Sequence, residues 1–183
     1  VLEAYSNYKR TYPESPKTED EAMTRISRIT RMSLAIDAFL KDKVGDTVSL
    51  RNTRVQLLAE LKELHFECAK LAESTQDRIR QWINGIGMVR ALEGFSSISD
   101  YEKAKLLYEK VMADLAIAKI HMENIDVQKV SPFDILDVDQ EVHQMYAYFY
   151  YAMRDFYSFT QISHALMNTK VGPELKGWFN EMG

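Results

Sequence analysis

Residues 146–159 read YAYFYYAMRDFYSF, and how this stretch is read decides the fold. It holds eight of the chain's aromatic side chains, which in total are 10 tyrosines, 8 phenylalanines and 2 tryptophans. Read as a helix at about 100° per residue, it gathers Met145, Tyr146, Phe149, Tyr150, Met153, Phe156 and Tyr157 on one broad arc. Gln144, Arg154, Asp155 and Ser158 form a narrow polar seam, while Tyr148, Tyr151 and Phe159 lie outside the arc. A surface helix needs only one apolar stripe. A helix apolar over more than half its circumference is either buried between neighbours or meets another chain.

The same helix is expected to span 132–167, roughly 50 Å at ~1.5 Å per residue. Ser131 caps it and Pro132 sits in its first turn, where a missing N–H costs nothing. Asp134, Asp137 and Asp139 suit the positive end of its dipole. Gly172-Pro173 interrupts it, and 172–183 then form a short amphipathic lid carrying Leu175, Trp178, Phe179 and Met182.

Upstream, three more helices are expected. Thr18 with Glu21 makes a capping box before Met23, Ile26, Ile29, Met32 or Ser33, Ile36 and Leu40, and Val44-Gly45-Asp46 should end that helix. A second opens near Ser49–Asn52. It keeps a three-four rhythm through Val55, Leu58, Leu61, His65, Cys68, Ala72, Thr75, Ile79 and Trp82, loosening at Asn84-Gly85-Ile86-Gly87. Ser99 with Glu102 starts the third, whose coiled-coil-like line is Ala104, Tyr108, Val111, Leu115, Ala118, Met122 and Ile125. No strand alternation competes. The expected fold is all-α, an antiparallel bundle of four long helices with a short C-terminal helix. It forms one domain over 1–183, with 1–16 irregular or loosely packed because Pro13 and Pro16 discourage a helix.

Composition agrees with a folded helical domain. The chain has 183 residues, is 46% hydrophobic and 27% charged, and contains few glycines and prolines. A net charge of −4 supplies no electrostatic footprint for nucleic acid. No apolar run approaches the ~18–20 residues of a membrane span, so no membrane insertion is expected. Cys68 is the only cysteine, which tilts the expectation toward the cytoplasm. No signal peptide is visible, and the first residue is Val1 instead of methionine, which leaves an extracytoplasmic setting open for an excised domain.

Chemistry-bearing patterns are weak. His65 and Cys68 stand at i and i+3, half of a soft metal site, but both fit the apolar line of their helix. His143 and His164 are about 30 Å apart on one helix by rise and cannot share an ion. His121 lacks an i+4 partner. Asp134, Asp137, Asp139 and Glu141 lack the glycine and terminal glutamate of a calcium loop. Gly85-Ile-Gly87 is too short to cradle a phosphate. No nucleophile is singled out, and no catalytic residue, metal or cofactor is assigned.

The tyrosines remain, each an apolar ring with a hydroxyl, a combination suited to interfaces. The expected function is a non-enzymatic protein–protein interaction module. It either self-associates as a homo-oligomer or docks a protein partner through the aromatic helix 132–167. Tyr148, Tyr151, Phe159, Trp178 and Phe179 are the expected interface residues. The alternative is a ligand-binding sensory helical bundle of a bacterial receptor, against which the break at Gly172-Pro173 counts.

Overall fold

The computed structural model describes residues 1–42, 47–128 and 135–183. These residues form helices and connecting turns, without a strand among them. The chain divides into two compact units, Val1–Phe95 and Ser96–Gly183. Unit 1 holds α1 (Leu2–Thr11), α2 (Glu19–Lys41), α3 (Thr47–Leu71) and α4 (Thr75–Glu93). Unit 2 holds α5 (Asp100–Gln128), α6 (Ile135–His164) and α7 (Gly172–Met182).

In unit 1, α2 and α4 both pack on α3, and Ile29, Ile36, Leu57, Leu64, Cys68 and Val89 are buried. The cap at Thr18 forms as read: its side chain accepts from the Glu21 amide at 3.1 Å. Such a cap contributes about 1 kcal/mol. The first residues, expected to be irregular, are helical to Thr11. Tyr5, Tyr8 and Tyr12 recur at helical spacing, and Tyr5 and Tyr8 are buried. The Tyr8 hydroxyl donates to Glu60 at 3.2 Å, so aromatic burial holds α1 helical until Pro13. The expected terminator at Val44-Gly45-Asp46 lies outside the described residues, as do Ser131, Pro132 and Asp134 at the start of the aromatic helix.

The helix expected from about 49 to 82 is two helices, so the long helices number more than the four expected. Its apolar rhythm continues across Ala72-Glu73-Ser74, but polar groups there end one helix and begin the next. Ser74 Oγ accepts from the Asp77 amide at 3.1 Å. Arg78 Nε donates to the Ala72 carbonyl at 2.8 Å, closing the C-terminus of α3. Conversely, the expected weak point at Gly85 is an unbroken helical turn of α4. The Phe66 ring of α3 occupies the space of a side chain there: a Cβ on Gly85 would lie 2.2 Å from Phe66 Cε1. Gly85 is therefore a close-approach glycine, and the Trp82 ring packs on the same phenylalanine at a centroid separation of 5.5 Å.

Gly87, two residues on and about 200° around the helix, has open space where a Cβ would stand. Gly85→Ala is expected to destabilise the protein by about 1–3 kcal/mol through overpacking. Gly87→Ala should stabilise it by about 0.5–1 kcal/mol through lowered backbone entropy. Urea denaturation of both variants checks the pair, and equal effects would contradict the Phe66 contact.

Candidate interaction surface

In unit 2, α5 and α6 form an antiparallel hairpin. Lys110 pairs with Asp155 and His121 with Glu141, so rising numbers on α5 meet falling numbers on α6. The α6 residues buried along this hairpin are Ala152, Asp155, Phe159 and Ser163. On α5 they include Ala104, Leu107, Val111, Asp114 and Ala118. The line read from the α5 sequence is thus partly displaced. Met122, expected inside, is exposed, whereas Lys110, Asp114 and His121 are buried.

Charge dictates that displacement. Asp155, which reads as polar surface, is buried with Lys110 Nζ 2.7 Å from its Oδ2. Asp114 lies beside them. Burial and a hydrogen bond with Asp155 push its carboxyl up to about 8, against the opposing pull of Lys110 and Arg154. Burial outweighs both cations, so Asp114 keeps its proton.

With Asp155 turned inward, the arc on the far side of α6 turns outward. Tyr146 is 65% exposed, Tyr150 61%, Met153 70% and Tyr157 64%. They recur at steps of four, three and four, a continuous stripe along one helix face. Beside it runs an apolar groove of about 580 Å³. Val111 and Leu115 of α5, Phe149, Ala152 and Phe156 of α6, and Met182 of α7 line it. Helix α7 covers the hairpin around Phe159, and its Met182 borders the groove.

Sequence reasoning expected Tyr148, Tyr151, Phe159, Trp178 and Phe179 at the interface. The structure puts Phe159 at the centre of a core with Ala104, Leu107 and Leu175. Phe179 packs on it at 4.8 Å. Trp178 stacks on Tyr108 at 5.2 Å and Tyr101 at 5.7 Å, so both lid rings are engaged within unit 2. Tyr148 is half-buried, stacked on His121 and edge-on to Tyr151. Tyr151 also receives the Arg154 guanidinium at 5.1 Å. The exposed rings are those assigned to the broad arc instead. Hydrophobicity alone does not give the phase, because Asp155 reads as surface and is buried.

The remaining candidates are held by local partners. His65 Nδ1 meets Gln81 Oε1 at 2.6 Å, and burial lowers its pKa. Cys68 is buried and its thiol is pushed up to about 11, mainly by burial. Among the described residues, no group of three or more His, Cys, Asp or Glu is placed to hold a metal ion. Within the same limits, no helix is long and apolar enough to cross a membrane. A second hollow, about 390 Å³ in unit 1, mixes Glu60, Glu63 and Glu67 with Lys9 and Arg25. Arg25 is engaged by the Glu14 carbonyl, Glu21 and the Tyr12 ring.

No family model matches the chain, and neither does any curated protein or solved structure.

The Asp114 proton makes stability depend on pH. Unfolded, the carboxyl titrates near 3.8; folded, it holds its proton to about 8. Between those values the folded chain binds more protons, so stability falls as pH rises. Asp114→Asn supplies an uncharged group of the same shape. It is expected to add roughly 1–3 kcal/mol at pH 8.5 and little at pH 4, as read by thermal melts across pH. An unchanged slope would contradict a protonated Asp114.

Proposed function

We propose that this protein is a non-enzymatic interaction module that docks a protein through the outer face of α6. The observation that carries this reading is the exposed stripe Tyr146, Tyr150, Met153 and Tyr157 beside an apolar groove. Exposed apolar surface that is contiguous and not scattered marks a binding face. Tyrosine, methionine and phenylalanine are the residue types enriched in such faces. The groups with shifted protonation support the non-enzymatic part, because His65, Cys68 and Asp114 are buried apart from the groove lining. The docking residues in this reading are therefore Tyr146, Tyr150, Met153 and Tyr157, with Tyr151 at the margin.

One observation favours the ligand-binding alternative. The groove volume falls within the ~300–1,000 Å³ of small-molecule pockets. Its lining offers a single polar side chain, Tyr146, so the ligand of that reading is an apolar chain and would raise the melting temperature.

The double variant Tyr150→Ser with Met153→Ser tests the docking face. Binding of an apolar reporter dye is expected to fall at least threefold, with a melting temperature near that of the parent. Phe159→Ser is the contrast: it removes a core ring and should cost about 3–5 kcal/mol. Unchanged dye binding in the double variant would remove the outer face of α6 as the docking site.

A further inference from the structure

We infer that the partner of this face is a second copy of the chain, joined α6 to α6 in antiparallel register about a two-fold axis between residues 151 and 152. This rests on the docking reading above and names its partner.

The seam extends beyond the four apolar residues. Asp139, His143, Tyr146, Tyr150, Met153, Tyr157, Thr160 and His164 alternate steps of four and three without a fault. Seven of the eight are exposed and Thr160 is half-exposed. This is the 3.5-residue repeat of a helix built to pack along its length on another helix. The order of residues is self-complementary. Laid antiparallel on itself about the stated axis, the seam sets Tyr150 against Met153, Tyr146 against Tyr157, His143 against Thr160 and Asp139 against His164. Apolar groups meet at the centre and opposite charges at both ends once the histidine is protonated. A two-fold contact requires this property, since each residue must suit its reflection.

The alternatives are less well matched. A parallel pairing sets Asp139 on Asp139, His143 on His143 and His164 on His164, like on like at both ends. A foreign partner places no palindromic demand on the seam, which would leave the order unexplained. The antiparallel arrangement also opposes the two helix dipoles. Burying three tyrosines and a methionine from each copy, at ~150–250 Å² per aromatic ring and the exposures above, removes roughly 1,000 Å² in total. That reaches the threshold of about 1,000 Å² expected of a specific interface. With each copy contributing its α5–α6 hairpin, four long helices lie side by side.

The test uses the full chain. Cys68 is buried and is the only cysteine, so introduced thiols report alone. Tyr146→Cys mixed with Tyr157→Cys should give a disulfide-linked heterodimer under mild oxidation. Either variant alone should give little, because like positions lie about 16 Å apart along the axis, beyond the ~7 Å reach of a disulfide. Sedimentation of the parent should show a concentration-dependent dimer. Tyr150→Ser with Met153→Ser should weaken it at least thirtyfold, as each replacement counts twice. Asp139→Lys should weaken it several-fold, and adding His164→Asp should restore it. Covalent dimers from Tyr146→Cys alone would overturn the antiparallel register. A parent that stays monomeric to about 200 µM, while the double variant still loses dye binding, would overturn the second copy and leave the docking face standing.

Discussion

The rotation of α6 about its own axis is fixed by the buried pair of Lys110 and Asp155. A carboxylate is too costly to bury alone, and Lys110 is supplied from the facing turn of α5. Once Asp155 points at α5, the 100° step of a helix settles the rest. Ala152 and Phe159 follow it inward, and Tyr150, Met153 and Tyr157 follow outward. Greasiness alone would turn the helix the other way. The ion pair overrules it, and the oily arc is left facing away from the hairpin as a result.

Much of the architecture was legible because it is local. The caps at Thr18 and Ser99 are single side chains serving amides three residues on, and sequence spacing reveals them directly. The short C-terminal helix is likewise legible, with Leu175 buried as its period implies. What stayed hidden depends on distant residues. Lys110 and Asp155 are 45 positions apart. Gly85 reads as a helix breaker until Phe66 is brought beside it. The break at Ala72-Glu73-Ser74 was concealed for another reason: the apolar rhythm runs through it, while Ser74 and Arg78 provide ends that periodicity does not register. On α6, Phe159 is buried and Tyr148 and Tyr151 are half-buried, because Asp155, which reads as solvated, turns toward α5.

The outer face of α6 is built from side chains suited to both exposure and contact. A tyrosine ring offers apolar area with few torsions to freeze, and its hydroxyl stays hydrated when the ring is uncovered. Leucine or isoleucine at Tyr146, Tyr150 and Tyr157 would offer area without that polar tip. The groove beside the stripe adds depth, since Val111 and Leu115 of α5 line it. Flat stripe and hollow together form a surface with shape as well as apolarity, which the proposed docking role requires.

Helix α7 carries an implication for how the chain comes into being. Its apolar side chains, Leu175, Trp178 and Phe179, all gather around Phe159 of the hairpin. Its hold is a pair of tyrosine hydroxyls on α5, Tyr101 to Glu174 and Tyr108 to Glu181, with Trp178 seated between the rings. During synthesis, then, Phe159 leaves the ribosome well before the residues that cover it, and the nascent hairpin presents a bare ring until Leu175 and Phe179 have emerged.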